Sequence, residues 1–202
     1  RIDGPLLLVC THGKRDKCCA VFGRPVAEEL TAEYGQLVWE SSHTKGHRFA
    51  PSMILLPSNY SYGQLGTAGA RSMLEHAKQG ELWLEGCRGR GLWDPIGQAA
   101  ELAVAEKMAG EGYPVKLASM RVSKSENTEA TNPDADSATE VRVVTIAPEA
   151  GTDANPEAAV EVGSESSPEK EITVRLHSRP GGTSVPSCGK KPKQTVTWVA
   201  EF

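Results

Sequence analysis

Two thiols and two imidazoles stand close together in the first quarter of the chain. Cys10 and Cys19 lie in LLLVCTHGKRDKCCAVFG, and His43 and His47 lie in SSHTKGHRF. Thiolate and neutral imidazole are the side chains that borderline and soft metals bind, and four of them complete a closed zinc site or hold a 2Fe–2S cluster. The H-x3-H spacing turns both imidazoles to one side, through either a helical turn or a tight loop at Gly46. Cys10 closes the apolar run Pro5-Leu6-Leu7-Leu8-Val9, which reads as a buried strand, and Cys19 falls in the first turns of the helix that follows. The two thiols therefore face each other across a single loop. His43 follows a second strand-like run over residues 36–40, so the two halves come from neighbouring crossovers at one end of a sheet, where sites in open α/β folds form.

Other chemistries of the same residue types fit less well. Zinc fingers pair their cysteines as C-x2-4-C, and Cys10 and Cys19 are much further apart than that. Cys10-Thr11-His12 supplies half of a Rieske pattern, but no C-x2-H follows Cys18 or Cys19, which leaves His12 as a surface or supporting residue. A disulfide exchanger wants C-x-x-C at a helix start, and none is present. Three readings stay open on the residues alone: an iron-sulfur electron carrier, a zinc-stabilised Cys2His2 binding module, and a thioredoxin-like thiol oxidoreductase. Cys87 in EGCRGRG reads as a packed thiol, Arg88 and Arg90 as loop cations beside it, and Cys188 as a single thiol in a tail. No nucleophile–base triad, glycine-rich phosphate loop, HExxH motif or glycosidase carboxylate pair stands out.

The order of these residues resembles the thioredoxin-like 2Fe-2S ferredoxins, and within them the sucrase/ferredoxin-like group that uses two cysteines and two histidines. The resemblance rests on VCTHGKRDKCC, H-T-K-G-H, Ala50-Pro51, the apolar run Met53-Ile54-Leu55-Leu56-Pro57 and Tyr62-Gly63, over residues 5–112. It implies a 2Fe–2S cluster held by Cys10, Cys19, His43 and His47, with Cys19 rather than its neighbour Cys18 in the ligand position. It also implies one-electron transfer between a reductase donor and an acceptor protein through a non-Rieske cluster; the four-residue spacing of the histidines, with the thiols sharing the deeper loop, leads us to expect both imidazoles on one iron. Imidazole ligands make reduction easier than four thiolates do, and their free N–H groups make the potential pH-dependent. The chain departs from the pattern in doubling the second thiol and in everything after about Tyr113.

Composition narrows the setting. At 202 residues the chain can bury one sizeable core with an appendage or two small ones. No apolar run approaches the ~18 residues of a membrane span, and the N-terminal residues lack a signal-peptide layout. An odd cysteine count without framework spacing points to a reducing, cytoplasmic setting and to ligand rather than disulfide use. Residues 124–170 carry a net charge of −8 against −4 for the whole chain, leaving +4 elsewhere. Lys14, Arg15, Lys17, Lys45 and Arg48 flank the four ligands, a basic rim suited to an acidic redox partner. Nucleic-acid binding is not expected, because aromatics are few and do not interleave with basic residues.

The elements that must position the site read as α/β: a thioredoxin-like ferredoxin core over residues 1–112 and a β-rich region over 113–202 with acidic loops. Asp16 is placed to cap a helix running to Tyr34, interrupted at Gly23-Arg24-Pro25, with Val21, Phe22, Val26 and Leu30 as its buried stripe. Strands over 52–56 and 61–65 pair through Pro57-Ser58-Asn59, and a helix over 67–79 closes the core. Asp94-Pro95 opens a further helix that ends near Gly110. Strands are expected over 115–122, 141–146, 172–176 and 195–199.

Overall fold

The computed structural model describes residues 4–14, 17–44, 46–124, 139–146, 169–187 and 189–202. Its first unit runs β1 (Leu6–Cys10), α1 (Lys17–Tyr34), β2 (Val38–Ser41), β3 (Ser52–Leu56), β4 (Tyr60–Gly63) and α2 (Thr67–Lys78), followed by β5 (Cys87–Arg90). The sheet order is β2-β1-β3-β4-β5. β1 and β2 are parallel, as a helical crossover requires, while β3, β4 and β5 each run antiparallel to the preceding neighbour. This βαβ-ββα order is the expected thioredoxin-like arrangement, with β5 added at its edge.

Period-two alternation fixes the register. Leu7 pairs with Leu55, Val9 with Met53, Leu55 with Tyr60 and Met53 with Tyr62, so one face of three strands is an unbroken buried surface. α1 covers β1 and β2 and packs on α2. Gly35, at φ +57, ends α1, a left-handed conformation that costs glycine nothing.

α1 departs from expectation in two ways. It is continuous through Pro25. Pro25 and Val21 are both exposed, so the missing proline N–H falls on the solvent side of the helix. Its buried residues are Cys19, Gly23, Val26, Ala27 and Leu30, whereas Val21 and Phe22 are 62% and 53% exposed. The expected cap at Asp16 lies outside the described residues.

α3 (Pro95–Gly110) begins as expected, with Asp94 Oδ1 accepting the Gly97 N–H at 2.9 Å and proline in the first turn. It packs on β5 and on a separate antiparallel sheet of β6 (Met120–Lys124), β7 (Thr139–Ile146), β8 (Glu169–Ser184) and β9 (Lys193–Glu201). Val141, Val143, Val174 and Leu176 on that sheet join the same buried cluster as the first sheet. The strand expected over 115–122 is only partly formed. Its first residues make one bridge, Lys116 with Glu81, before β6 starts at Met120.

Candidate functional site

The C-terminal ends of β1 and β2 and the start of β3 meet at one end of the first sheet. Cys10 pairs with Ser41, and the Thr11 N–H extends the pairing by donating to the Ser41 carbonyl at 3.1 Å. The loops after β1 and β2 therefore leave the sheet side by side. Cys10 is the last residue of β1 and is buried; Cys19 lies in the first turn of α1 and is fully buried.

The approach of α1 to β1 explains why both thiols are enclosed. A Cβ on Gly23 would stand 2.3 Å from the Cys10 carbonyl oxygen, so only glycine lets the helix sit this low. Cys19 is one helical turn before Gly23 on the same buried face, which carries its thiol to the Cys10 end of the strand.

Cys10, Cys19 and Cys87 are outside any disulfide, whereas Cys18 is disulfide-bonded. The expectation of ligand rather than disulfide use is thus corrected at Cys18. Of the adjacent pair, Cys19 keeps the thiol. Cys188 lies outside the described residues. Cys87 opens β5 opposite Tyr62, and burial pushes its thiol up to about 11, so it is protonated and unreactive at neutral pH.

His43 stands two residues beyond β2 and is exposed, and His47 opens a single 3-10 turn, His47–Phe49. The Phe49 N–H closes that turn on the Gly46 carbonyl at 2.8 Å. Thr44 Oγ1 donates to Ser52 Oγ at 3.0 Å, and the Gln64 N–H donates to the carbonyls of Phe49 at 2.9 Å and Pro51 at 3.2 Å. A Cβ on Gly63 would meet Phe49 Cβ at 2.5 Å, so the loop lies directly on β4. Lys14 and Lys17 are exposed; Arg15, Asp16 and Lys45 lie outside the described residues.

Among the described residues, no three His, Cys, Asp or Glu side chains converge as a metal site. The chemistry of the residues expected as ligands suits a 2Fe–2S cluster: two buried cysteines outside any disulfide, and two histidines in the adjoining loop.

Residues 3–89 match the sucrase/ferredoxin-like family model. The matched span runs from β1 into β5 and contains Cys10, Cys19, His43 and His47. α3 and the second sheet lie outside the matched span. No curated protein and no solved structure matches the chain.

Two features of this region were not anticipated. Arg48 and Arg88 both stack on the Phe49 ring, with guanidinium carbons 4.4 and 3.6 Å from its centroid. Arg90 is no loop cation. It donates to the carbonyls of Ser58 and Met120, both at 3.2 Å, and lies 3.9 Å from Glu101, a fully buried carboxyl that also accepts the Tyr60 hydroxyl at 3.0 Å. A charge amid the apolar residues of the helix over 95–110 was the visible signal for Glu101; nothing in EGCRGRG marked a strand.

Proposed function

We propose that the chain is a one-electron carrier whose 2Fe–2S cluster is held by Cys10, Cys19, His43 and His47. The observation that carries this reading is the presence of two buried cysteines outside any disulfide at the sheet end from which the His43–His47 loop departs. A cluster bound there supplies one-electron reduction and oxidation, at roughly −150 to +300 mV if His2Cys2 Rieske centres are the guide, against about −400 mV for plant-type ferredoxins.

The chain's own groups then have distinct tasks. Cys10 and Cys19 contribute the negative charges and, being buried, keep water from the sulfur side. His43 is exposed, so an imidazole bound to iron there would keep the proton of its non-coordinating nitrogen near solvent; that proton would be released more readily from the oxidised state, and the potential would fall as pH rises. Lys14 and Lys17 are exposed near the same end and favour an acidic partner.

Iron, zinc and acid-labile sulfide analysis of the purified full chain, read with its visible spectrum, tests the reading. The expected result is a red-brown protein with equal iron and sulfide. A colourless protein with one zinc per chain would replace the electron carrier by a zinc-stabilised module.

A further inference from the structure

A groove of about 910 Å³ opens beside the His43–His47 loop. One wall is the loop itself, including Arg48 and Phe49, and Arg88 of β5; the other is α3 together with the β8–β9 hairpin. Its volume lies in the range of sites that enclose small organic ligands.

The groove is polarised along its length. Gly89 abuts Gln98, where an added Cβ would stand 2.7 Å from the Gln98 Cβ, so Arg88 lies at the N-terminal end of α3. Leu102, Ala103, Val196 and Trp198 form an apolar middle. Glu106 lines the far part, about 12 Å along the helix from Gln98. Arg48, Arg88 and Glu106 are the charged groups that line it.

The arginine end is electrostatically incomplete. Two guanidinium groups share one aromatic ring, and among the described residues neither is ion-paired with a carboxylate. Burial and the neighbouring Arg48 both lower the Arg88 pKa, the signature of a cation lacking a counter-charge. Guanidinium groups accept carboxylate and phosphate oxygens in bidentate fashion, and an anion between them offsets their mutual repulsion.

We propose that this groove binds a small organic anion, its carboxylate or phosphate held by Arg48 and Arg88 and its apolar body lying against Leu102, Ala103 and Trp198. The groove shares the His43–His47 loop with the proposed cluster, but its anion-binding groups, Arg48 and Arg88, are not among the proposed ligands, and titration with anions reads the groove separately from iron content.

Calorimetric titration of the full chain with 2-naphthoate, 1-naphthyl phosphate, neutral 2-naphthalenemethanol and inorganic phosphate tests it. Each naphthyl anion should bind once per chain, at least tenfold more tightly than the neutral analogue or inorganic phosphate. Arg88→Gln and Arg48→Gln should each weaken the anions about tenfold and leave the neutral compound unchanged, while Glu106→Gln should leave anion binding equal or tighter. Arg48 is exposed, so its variant answers the question even if Arg88→Gln fails to fold. Equal affinity for neutral and anionic probes, no binding of either anion, or parent affinity in Arg48→Gln would overturn the proposal. Inorganic phosphate binding as tightly as naphthyl phosphate would remove the apolar half of it.

Discussion

Cys18 and Cys19 are neighbours in sequence with opposite fates, because a helix turns adjacent residues about 100° apart. Cys19 joins the buried face and keeps its thiol; Cys18 is disulfide-bonded. Cys10→Ser and Cys19→Ser should therefore abolish iron binding, whereas Cys18→Ser and Cys87→Ser should retain the parent visible spectrum. Bleaching by Cys18→Ser but not by Cys19→Ser would place the ligand one residue earlier. Glu101 offers an independent test of packing. Burial raises its pKa above the ordinary 4.5, outweighing the pull of Tyr60, Trp93 and Arg90 in the other direction. The folded state then binds this proton more tightly than the unfolded state. Its contribution to stability is full below about pH 4.5 and is lost as pH rises through the raised folded value. Urea midpoints measured upward from pH 4.5 should show that falling component in the parent and not in Glu101→Gln. Glu101→Ala should cost about 3–5 kcal/mol, because it strands Arg90 and the Tyr60 hydroxyl in the interior.

At the scale of elements, the site depends on how low α1 sits on β1. Gly23→Ala places a methyl group against the Cys10 carbonyl, with backbone on both sides and no room to yield. It should destabilise the fold by about 3 kcal/mol, the upper end for overpacked contacts, and lower iron content with it. Gly110→Ala has open space and should stabilise by about 0.5–1 kcal/mol; urea denaturation of the two variants checks the contrast. The same contact explains what could be read from sequence. The strand at residues 52–56, the Pro57-Ser58-Asn59 turn and the Asp94-Pro95 helix start were legible because apolar runs, turn residues and caps are local signals. The buried face of α1 was legible only in part, at Val26 and Leu30. Apolarity pointed to Val21 and Phe22, but close backbone approach selects small residues, Gly23 and Ala27, which hydrophobic pattern does not register. β5 was missed for a related reason. Cys87–Arg90 has no strand-like alternation and becomes a strand by pairing with β4, its arginines taken up by the Phe49 ring and by carbonyl oxygens. The strand ends that carry Cys10 and precede His43 were legible in sequence, whereas the Arg48–Phe49–Arg88 cluster joins two segments distant in sequence and emerges only on folding.

The whole molecule divides its charge. Residues 124–170 carry −8 and the remainder +4, and part of that remainder, Lys14 and Lys17, is exposed beside the donors. If the chain docks an acidic electron donor at this end, Lys14→Glu with Lys17→Glu should slow reduction several-fold at low salt, leave the cluster intact, and flatten the dependence on ionic strength, since exposed charges act over about 8 Å at physiological salt. Stopped-flow reduction at two salt concentrations reads this directly. Equal rates for parent and variant would leave those lysines as plain surface. The central claim is that two thiolates and two imidazoles hold the cluster, and pulsed electron paramagnetic resonance of the reduced protein addresses it most directly. Nitrogen couplings from two coordinated imidazoles are expected, with one lost in each of His43→Ala and His47→Ala if any cluster survives. A reduced cluster with no coupled nitrogen would contradict histidine ligation and, with it, this assignment of the site.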